Sequence, residues 1–160
     1  MAAPLLIVWH SRTGAARALA EAAADGAGEY AQIVPASAVQ PEHLLDARGY
    51  LFVCPENLAT MSGEMKEMFD RCYYPVLGKI EGRAYATIIA AGSDGEGAQR
   101  QVDRIATGWR LRRVAEPVIV NTAAQTQEEI LAPKRIDTPQ LRAASALGQA
   151  LGQGLDSGVF

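Results

Sequence analysis

Three stretches of this sequence are apolar over strand length: Leu5–Trp9 and 49–54 without interruption, and Ala84–Ala91 but for Thr87. A run of that kind has no polar face to turn to water, so each reads as a strand covered on both sides. Between them lie stretches with helical spacing: Ala16, Leu19, Ala20 and Ala23; Met65, Met68, Phe69 and Cys72; Ala98, Val102, Ile105 and Trp109. Buried strands that alternate with helices from end to end predict an α/β fold, a parallel sheet with helices on both faces.

The remaining elements are weaker. Residues 29–34 alternate loosely and read as a second strand nearer a sheet edge, after Gly26 and Gly28 end the first helix. Pro41–Asp46 reads as a brief helical turn, and Pro55 as the stop of the strand at 49–54. Ser62 is placed to cap the next helix, which Tyr74-Pro75 closes. Residues 114–121 form a fifth strand, marked as an edge by Pro117. Residues 122–137 show no period and read as a long loop with room for a helical turn, long enough for a lid or an intersubunit arm. Thr138 and Pro139 then supply an N-cap and a first-turn proline to a last helix carrying Leu141, Ala144, Gly148, Leu151 and Leu155. No repeat or low-complexity linker divides the 160 residues, so a single domain over 1–160 is expected.

Composition removes several classes of function. With 49% hydrophobic and 21% charged residues the chain is in the ordinary globular range. A net charge of −3, with arginines scattered rather than massed, argues against nucleic acid as a partner. Met1-Ala2-Ala3-Pro4 lacks a basic leader and no apolar run approaches membrane-spanning length, which predicts a cytoplasmic protein with no membrane partner. Cys54 and Cys72 make neither a disulfide framework nor a zinc pattern; they read as small core residues, and no metal site is expected.

Trp9-His10-Ser11-Arg12-Thr13-Gly14-Ala15-Ala16-Arg17 joins the first strand to the first helix. Such a turn aims unpaired amide N–H groups at one spot, where the helix dipole also favours negative charge. Ser11 and Thr13 add hydroxyls, and Gly14 lets the backbone approach a ligand closely. Two uses fit: a cradle for a phosphate monoester, or simple capping of the helix by Ser11 and Thr13. The lysine of G-x-x-x-x-G-K-[ST] and the spacing of G-x-G-x-x-G are both missing, which excludes a nucleoside triphosphatase loop and a dinucleotide fingerprint. His10-Ser11 and Cys54-Pro55 do not supply the acidic cluster of a response-regulator receiver. A cysteine phosphatase needs an arginine where Thr60 stands.

Ligands of open parallel sheets bind beyond the carboxyl ends of the strands, where strand order reverses. Loops 11–15, 56–62 and 92–97 all leave strand C-termini with small and polar residues. In a five-stranded sheet of order 2-1-3-4-5 they follow the adjacent first, third and fourth strands and so converge. Ser11-Arg12-Thr13-Gly14-Ala15-Ala16 is similar to [ST]-x-[ST]-G-x-[ST], the phosphate loop of flavodoxin-like flavoproteins, and departs from it at Ala16, where the family carries a last hydroxyl. Pro55-Glu56-Asn57-Leu58-Ala59-Thr60-Met61-Ser62-Gly63-Glu64-Met65-Lys66 resembles the second flavin loop of that family's reductase branch, a small-residue loop ending in M-x-G-x-M-K. Gly92-Ser93-Asp94-Gly95-Glu96-Gly97 resembles the third loop, along the pyrimidine end of the ring.

The family holds flavodoxins and NAD(P)H-dependent FMN or quinone reductases, and the resemblance runs from the first strand through the helix after Gly97. It implies a flavodoxin-like doubly wound five-stranded parallel sheet and noncovalent FMN. Ser11, Arg12, Thr13, Gly14 and Ala15, with Ala16 at the loop's last position, are implied at the phosphate. Pro55, Glu56, Asn57, Leu58, Ala59 and Thr60 are implied along the ring, and Gly92, Ser93 and Gly95 at its other edge.

Flavin carries the hydride chemistry itself, so no catalytic acid or base is required, and none stands out. Flavodoxins commonly sandwich the ring between aromatics, whereas neither flavin loop here contains Trp or Tyr. An open ring face suits hydride transfer from NADH or NADPH to a small-molecule acceptor such as a quinone or free flavin. The weak net charge also fits poorly with docking of protein redox partners. The expectation is therefore a reductase, with a homo-oligomer left open. The alternatives are a flavodoxin-type electron carrier and a domain that no longer binds flavin, for which Ala16 is the hint. Glu56, Asp94 and Glu96 stand either near the ring or in solvent. His10 either orients the phosphate loop or simply ends its strand, and Arg100, Arg104, Arg110, Arg112 and Arg113 meet either a 2′-phosphate or water.

Overall fold

The computed structural model describes residues 2–160. Its central strands are the three apolar runs: β1 (Leu5–Trp9), β3 (Gly49–Asn57) and β5 (Ala84–Ala91). The helices and edge strands between them are α1 (Ala15–Ala27), β2 (Ala31–Pro35), α2 (Pro41–Asp46), β4 (Thr60–Met61), α3 (Gly63–Val76) and α4 (Glu96–Gly108). β6 (Arg112–Arg113), β7 (Val118–Asn121), α5 (Gln127–Leu131) and α6 (Thr138–Ser157) complete the chain.

Side chains alternate across the strands and build a core on each face. Leu6, Val8, Tyr50, Phe52, Cys54, Tyr85 and Ile89 face α2, α3 and α4. Leu5, Ile7, Leu51, Val53, Ala86, Ile88 and Ala90 face α1 and α6. The first face is aromatic, with Phe52 against Phe69 at 5.0 Å and Phe69 against Trp109 at 5.2 Å between centroids. The second is built from small residues, so its helices touch backbone to backbone. A Cβ placed on Gly148 of α6 would lie 1.9 Å from the Ala23 carbonyl oxygen of α1.

The expected five-stranded, wholly parallel sheet is corrected in its edges. The described residues form seven strands along the path β2-β1-β3-β5-β6, with β7 also on β5 and β4 on β3. Of the fifth strand expected over 114–121 only β7 (Val118–Asn121) forms; β6 (Arg112–Arg113) pairs ahead of it along the same edge of β5, and residues 114–117 lie between the two. Five steps along this edge, Arg113 to Val118, oppose three along β5, Tyr85 to Ile88. The extra residues bulge at Pro117, which has no N–H to give to a ladder. β4 arises because β3 does not stop at Pro55 but folds back antiparallel, pairing Glu56 with Met61 and Asn57 with Thr60. The Val53 carbonyl accepts from the His10 amide, so Pro55, two residues on, faces the side from which β1 has already turned away. Its missing N–H therefore costs no strand bond.

Smaller shifts have equally local causes. Residues 28–30 form a 3-10 turn, which moves β2 from 29–34 to Ala31–Pro35. α3 runs through Pro75 to Val76, because a proline in the last turn forfeits only one helical bond. The N-cap of α6 is Asp137 rather than Thr138: its carboxylate accepts from the Gln140 amide at 3.0 Å, and Thr138 is the first helical residue.

Candidate functional site

The loops that follow β1, β3 and β5 converge, as their placement on adjacent strands requires, on a cavity of about 500 Å³. Ser11, Arg12, Thr13, Ala15 and Ala16 line it from the first loop and the head of α1; Pro55, Glu56, Asn57 and Leu58 from the end of β3; Ala90, Ala91, Gly92 and Ser93 from the end of β5. Four expected residues stand outside the lining. Gly14 is the N-cap of α1 at φ 103°, its N–H donating to Ser11 Oγ at 3.1 Å. Gly95 is the N-cap of α4, its N–H taken by Glu56. Ala59 lies at the hairpin tip with its carbonyl against Gly97, and Thr60 donates its hydroxyl locally, to the Asn57 and Met61 carbonyls.

Two helix N-termini face this region and are treated in opposite ways. The Glu56 carboxylate accepts from the Gly95 amide at 2.8 Å and the Ala98 amide at 3.1 Å. Glu56 thus caps α4 from a distant loop and ties the second loop to the third. α1 has no side-chain cap. Its first internal bond runs from the Ala18 amide to the Gly14 carbonyl, which leaves the amides of Ala15, Ala16 and Arg17 without partners in the helix. Ser11 and Thr13 therefore do not cap α1, and of the two uses open to this turn the capping one is set aside. Asp94 and Glu96 are exposed and line no part of the cavity, nor do the five arginines of α4 and the turn after it.

His10 lies behind the first loop. Its Nδ1 is 2.8 Å from Ser62 Oγ and its Nε2 3.2 Å from the Glu64 carboxylate. Ser62 stands at the N-cap of α3 but bonds His10 instead of a helix amide, contrary to the expected cap. Burial pushes His10 below its ordinary pKa; the Glu64 carboxylate opposes that shift and Arg12 adds to it. A neutral ring donating from Nε2 to Glu64 and accepting from Ser62 at Nδ1 satisfies all three groups. The order serine, histidine, glutamate resembles an acyl-transfer relay, but Ser62 is 1% exposed and outside the cavity, so no substrate carbonyl can reach it. The arrangement fastens the first loop to the second.

The aromatic side chains all lie elsewhere. Among the described residues lining the cavity none is Phe, Tyr or Trp. Trp9 packs on the α1 face beneath Arg17, whose guanidinium carbon is 5.5 Å from the ring centroid. Trp109 is buried on Phe69, and Tyr74 is stacked on Tyr73. Cys54 and Cys72 are buried free thiols, and burial pushes Cys54 up to about 12. No helix of the described residues is long and apolar enough to cross a membrane.

A fourth wall was absent from the loops expected at the site. Thr122, Ala124, Ile130, Leu131 and Lys134 line the cavity from segment 122–137, which is a strap over the opening. It is tied to the third loop by Asn121 Nδ2 donating to the Ser93 carbonyl at 2.6 Å and Gln125 Nε2 to the Gly92 carbonyl at 2.9 Å. It is tied to the first loop by the Lys134 amide donating to the Thr13 carbonyl at 2.8 Å. α5 begins in a capping box, Thr126 with Glu129, in which the amides of Gln125 and Thr126 hold the Glu129 carboxyl below its usual range. That S/T-x-x-E spacing was the signal in the sequence for a helix here.

Residues 41–125, just over half of the chain, match the family model described as NADPH-dependent FMN reductase. The chain belongs to the NADPH-dependent FMN reductase family. The matched segment holds this family's second and third loops here, while Ser11 to Ala16 and Lys134 fall outside it. No curated protein matches the sequence. Among solved structures, a flavodoxin from the domain Archaea superposes with TM-score 0.76 at 15% identity, over 95% of this chain and 98% of that one. A WrbA-like flavodoxin from Agrobacterium tumefaciens gives 0.73 at 16%, over 98% and 99%. The flavodiiron protein from Giardia intestinalis gives 0.77 at 16%, over 96% of this chain and 36% of that one. At such identities the likeness concerns the fold, which is flavodoxin-like.

Proposed function

We propose that this reductase-family chain, as a single domain over residues 1–160, binds FMN noncovalently and uses NADH or NADPH to reduce a small acceptor such as a quinone or free flavin. The observation that carries this reading is the uncapped head of α1 opening on a cavity of about 500 Å³, a volume ordinary for a cofactor site. The residues present fit the group. Ser11 and Thr13 supply hydroxyls and the amides of Ala15 and Ala16 supply N–H donors for a phosphate, so the missing hydroxyl at Ala16 leaves its main chain still able to bind. Beyond them, Pro55, Asn57, Leu58 and Gly92 give an uncharged lining for a ring.

When bound, FMN supplies two-electron chemistry; the protein supplies placement and access. Glu56 and its bonds to Gly95 and Ala98 hold the second and third loops at fixed separation. Absence of aromatic side chains from the described lining leaves room for a nicotinamide to approach a ring face to near contact, which is what hydride transfer requires. The same observation favours a reductase over a flavodoxin-type carrier.

The test is spectral. Purified protein should carry flavin absorbance or acquire it on adding FMN, and anaerobic NADPH or NADH should bleach it within seconds. Gly14→Pro, which clashes at the cradle, should abolish FMN retention. Protein that stays colourless with added FMN defeats the cofactor reading; flavin that neither nucleotide reduces defeats the reductase.

A further inference from the structure

Lys134 is an ammonium set in the wall of the cavity with no anion of its own. Its Nζ donates to the carbonyls of Ala132 at 2.7 Å and Ile130 at 2.8 Å, and to Thr13 Oγ1 at 3.2 Å. All three acceptors are neutral, and among the described residues no carboxylate forms an ion pair with it. Several other cations of the fold are spoken for. Arg17, Lys66 and Arg71 pair with carboxylates one turn away, and Arg83 caps the end of α2 through the carbonyls of Leu44, Leu45 and Ala47. Lys134 is instead held by its backbone, which donates to the Thr13 carbonyl, and by a strap pinned to the third loop at Ser93 and Gly92.

We infer that Lys134 is the fixed cation of the phosphate site and sets the preference of the cavity for FMN over riboflavin. The inference rests on the FMN reading above. A phosphate monoester brings about −1.5 to −2 charges at neutral pH, whereas an uncapped helix end offers only about +0.5. Glu56 adds a further carboxylate to the same cavity wall. Hydroxyls and amides at the first loop therefore leave the ester short of positive charge. Arg12 of that loop also lines the cavity, but it is exposed and no hydrogen bond or ion pair among the described residues fixes its guanidinium, whereas Lys134 is held against Thr13 and placed to supply the charge. Its longest bond, to Thr13 Oγ1, is the one a phosphate oxygen would displace, and the threonine hydroxyl, which only accepts in that bond, keeps its own proton to donate to the same phosphate. Of the strap residues that line the cavity, Lys134 is the charged one and the one bonded to the first loop, so its contribution falls on the phosphate end.

Flavin-free whole chain titrated with FMN and with riboflavin, followed by quenching of flavin fluorescence, tests this. Lys134→Met should weaken FMN about tenfold to a hundredfold, the range for a lost charged hydrogen bond. Riboflavin, which lacks the phosphate, should change less than about twofold, and the salt dependence of FMN binding should flatten. Lys134→Arg should keep most of the preference. Equal loss of both flavins in Lys134→Met would mean that the residue only holds the strap in place, and unchanged FMN binding would mean that it does not meet the phosphate; either overturns the inference and leaves the FMN reading intact. Wild-type protein that binds neither flavin overturns the FMN reading and this inference together.

Discussion

Replacing Glu56 by alanine removes both bonds at the head of α4, to the Gly95 amide at 2.8 Å and the Ala98 amide at 3.1 Å. Loss of a side-chain cap costs about 0.5–2 kcal/mol, and loss of negative charge at a helix N-terminus about 0.3–1 kcal/mol. The two overlap, and the carboxylate is only half-buried, so the charged-bond values of about 1.5–3 kcal/mol each are upper limits here. The expected loss is about 2 kcal/mol. With a urea dependence of about 2 kcal/mol per molar, the unfolding midpoint should fall by about 1 M. Urea unfolding followed by circular dichroism on flavin-free protein measures it. Glu56→Gln keeps one acceptor oxygen and should lose less than half as much. A loss below about 0.5 kcal/mol in Glu56→Ala, the range of ordinary surface changes, would refute the claim that this carboxylate joins the second loop to α4.

Three further outcomes are expected. Gly148→Ala forces a Cβ to 1.9 Å from the Ala23 carbonyl, a backbone atom that cannot swing away, and should destabilise the fold by about 1–3 kcal/mol in the same urea assay without altering the FMN-to-riboflavin ratio. His10 has a folded-state pKa below its ordinary 6.5, so the unfolded chain takes up the proton first; stability from the neutral ring is complete above about 6.5 and is lost as pH falls below it. His10→Gln should therefore flatten the fall in stability between about pH 7 and pH 5, and parallel profiles for the two proteins would contradict the assignment. Asn57→Trp should cover the ring face and slow reduction by NADPH at least about tenfold while changing FMN affinity less; equal effects on both would show that Asn57 does not border the nicotinamide.

The parts of this fold that could be read in the sequence are those where burial writes a pattern. Strands covered on both faces leave apolar runs, so β1, β3 and β5 and the order that brings their loops together were legible. Pro117 marked an edge strand correctly, but a bulge depends on the partner strand's register and left no trace in 114–121. Pro55 reads as a stop only if its neighbour strand is still alongside, and β1 has left by then. Segment 122–137 reads in the sequence as a long loop with room for a helical turn and the length of a lid, but not as a wall of the site, because it buries almost nothing: Ile130 and Leu131 are 52% and 67% exposed, so no hydrophobic period marks α5. Glu56 was placed at the site but not in its role, since a cap 39 residues away in the chain is a property of the folded sheet. His10 and Ser62, 52 residues apart, met for the same reason.

The donors at the head of α1 belong to no side chain. An alanine scan would pass over positions 15 and 16 in silence, because both are alanine already. Exchange of those amides for esters reaches the donors themselves, and it separates what the main chain contributes to an anion from what Ser11, Thr13 and Lys134 contribute around it.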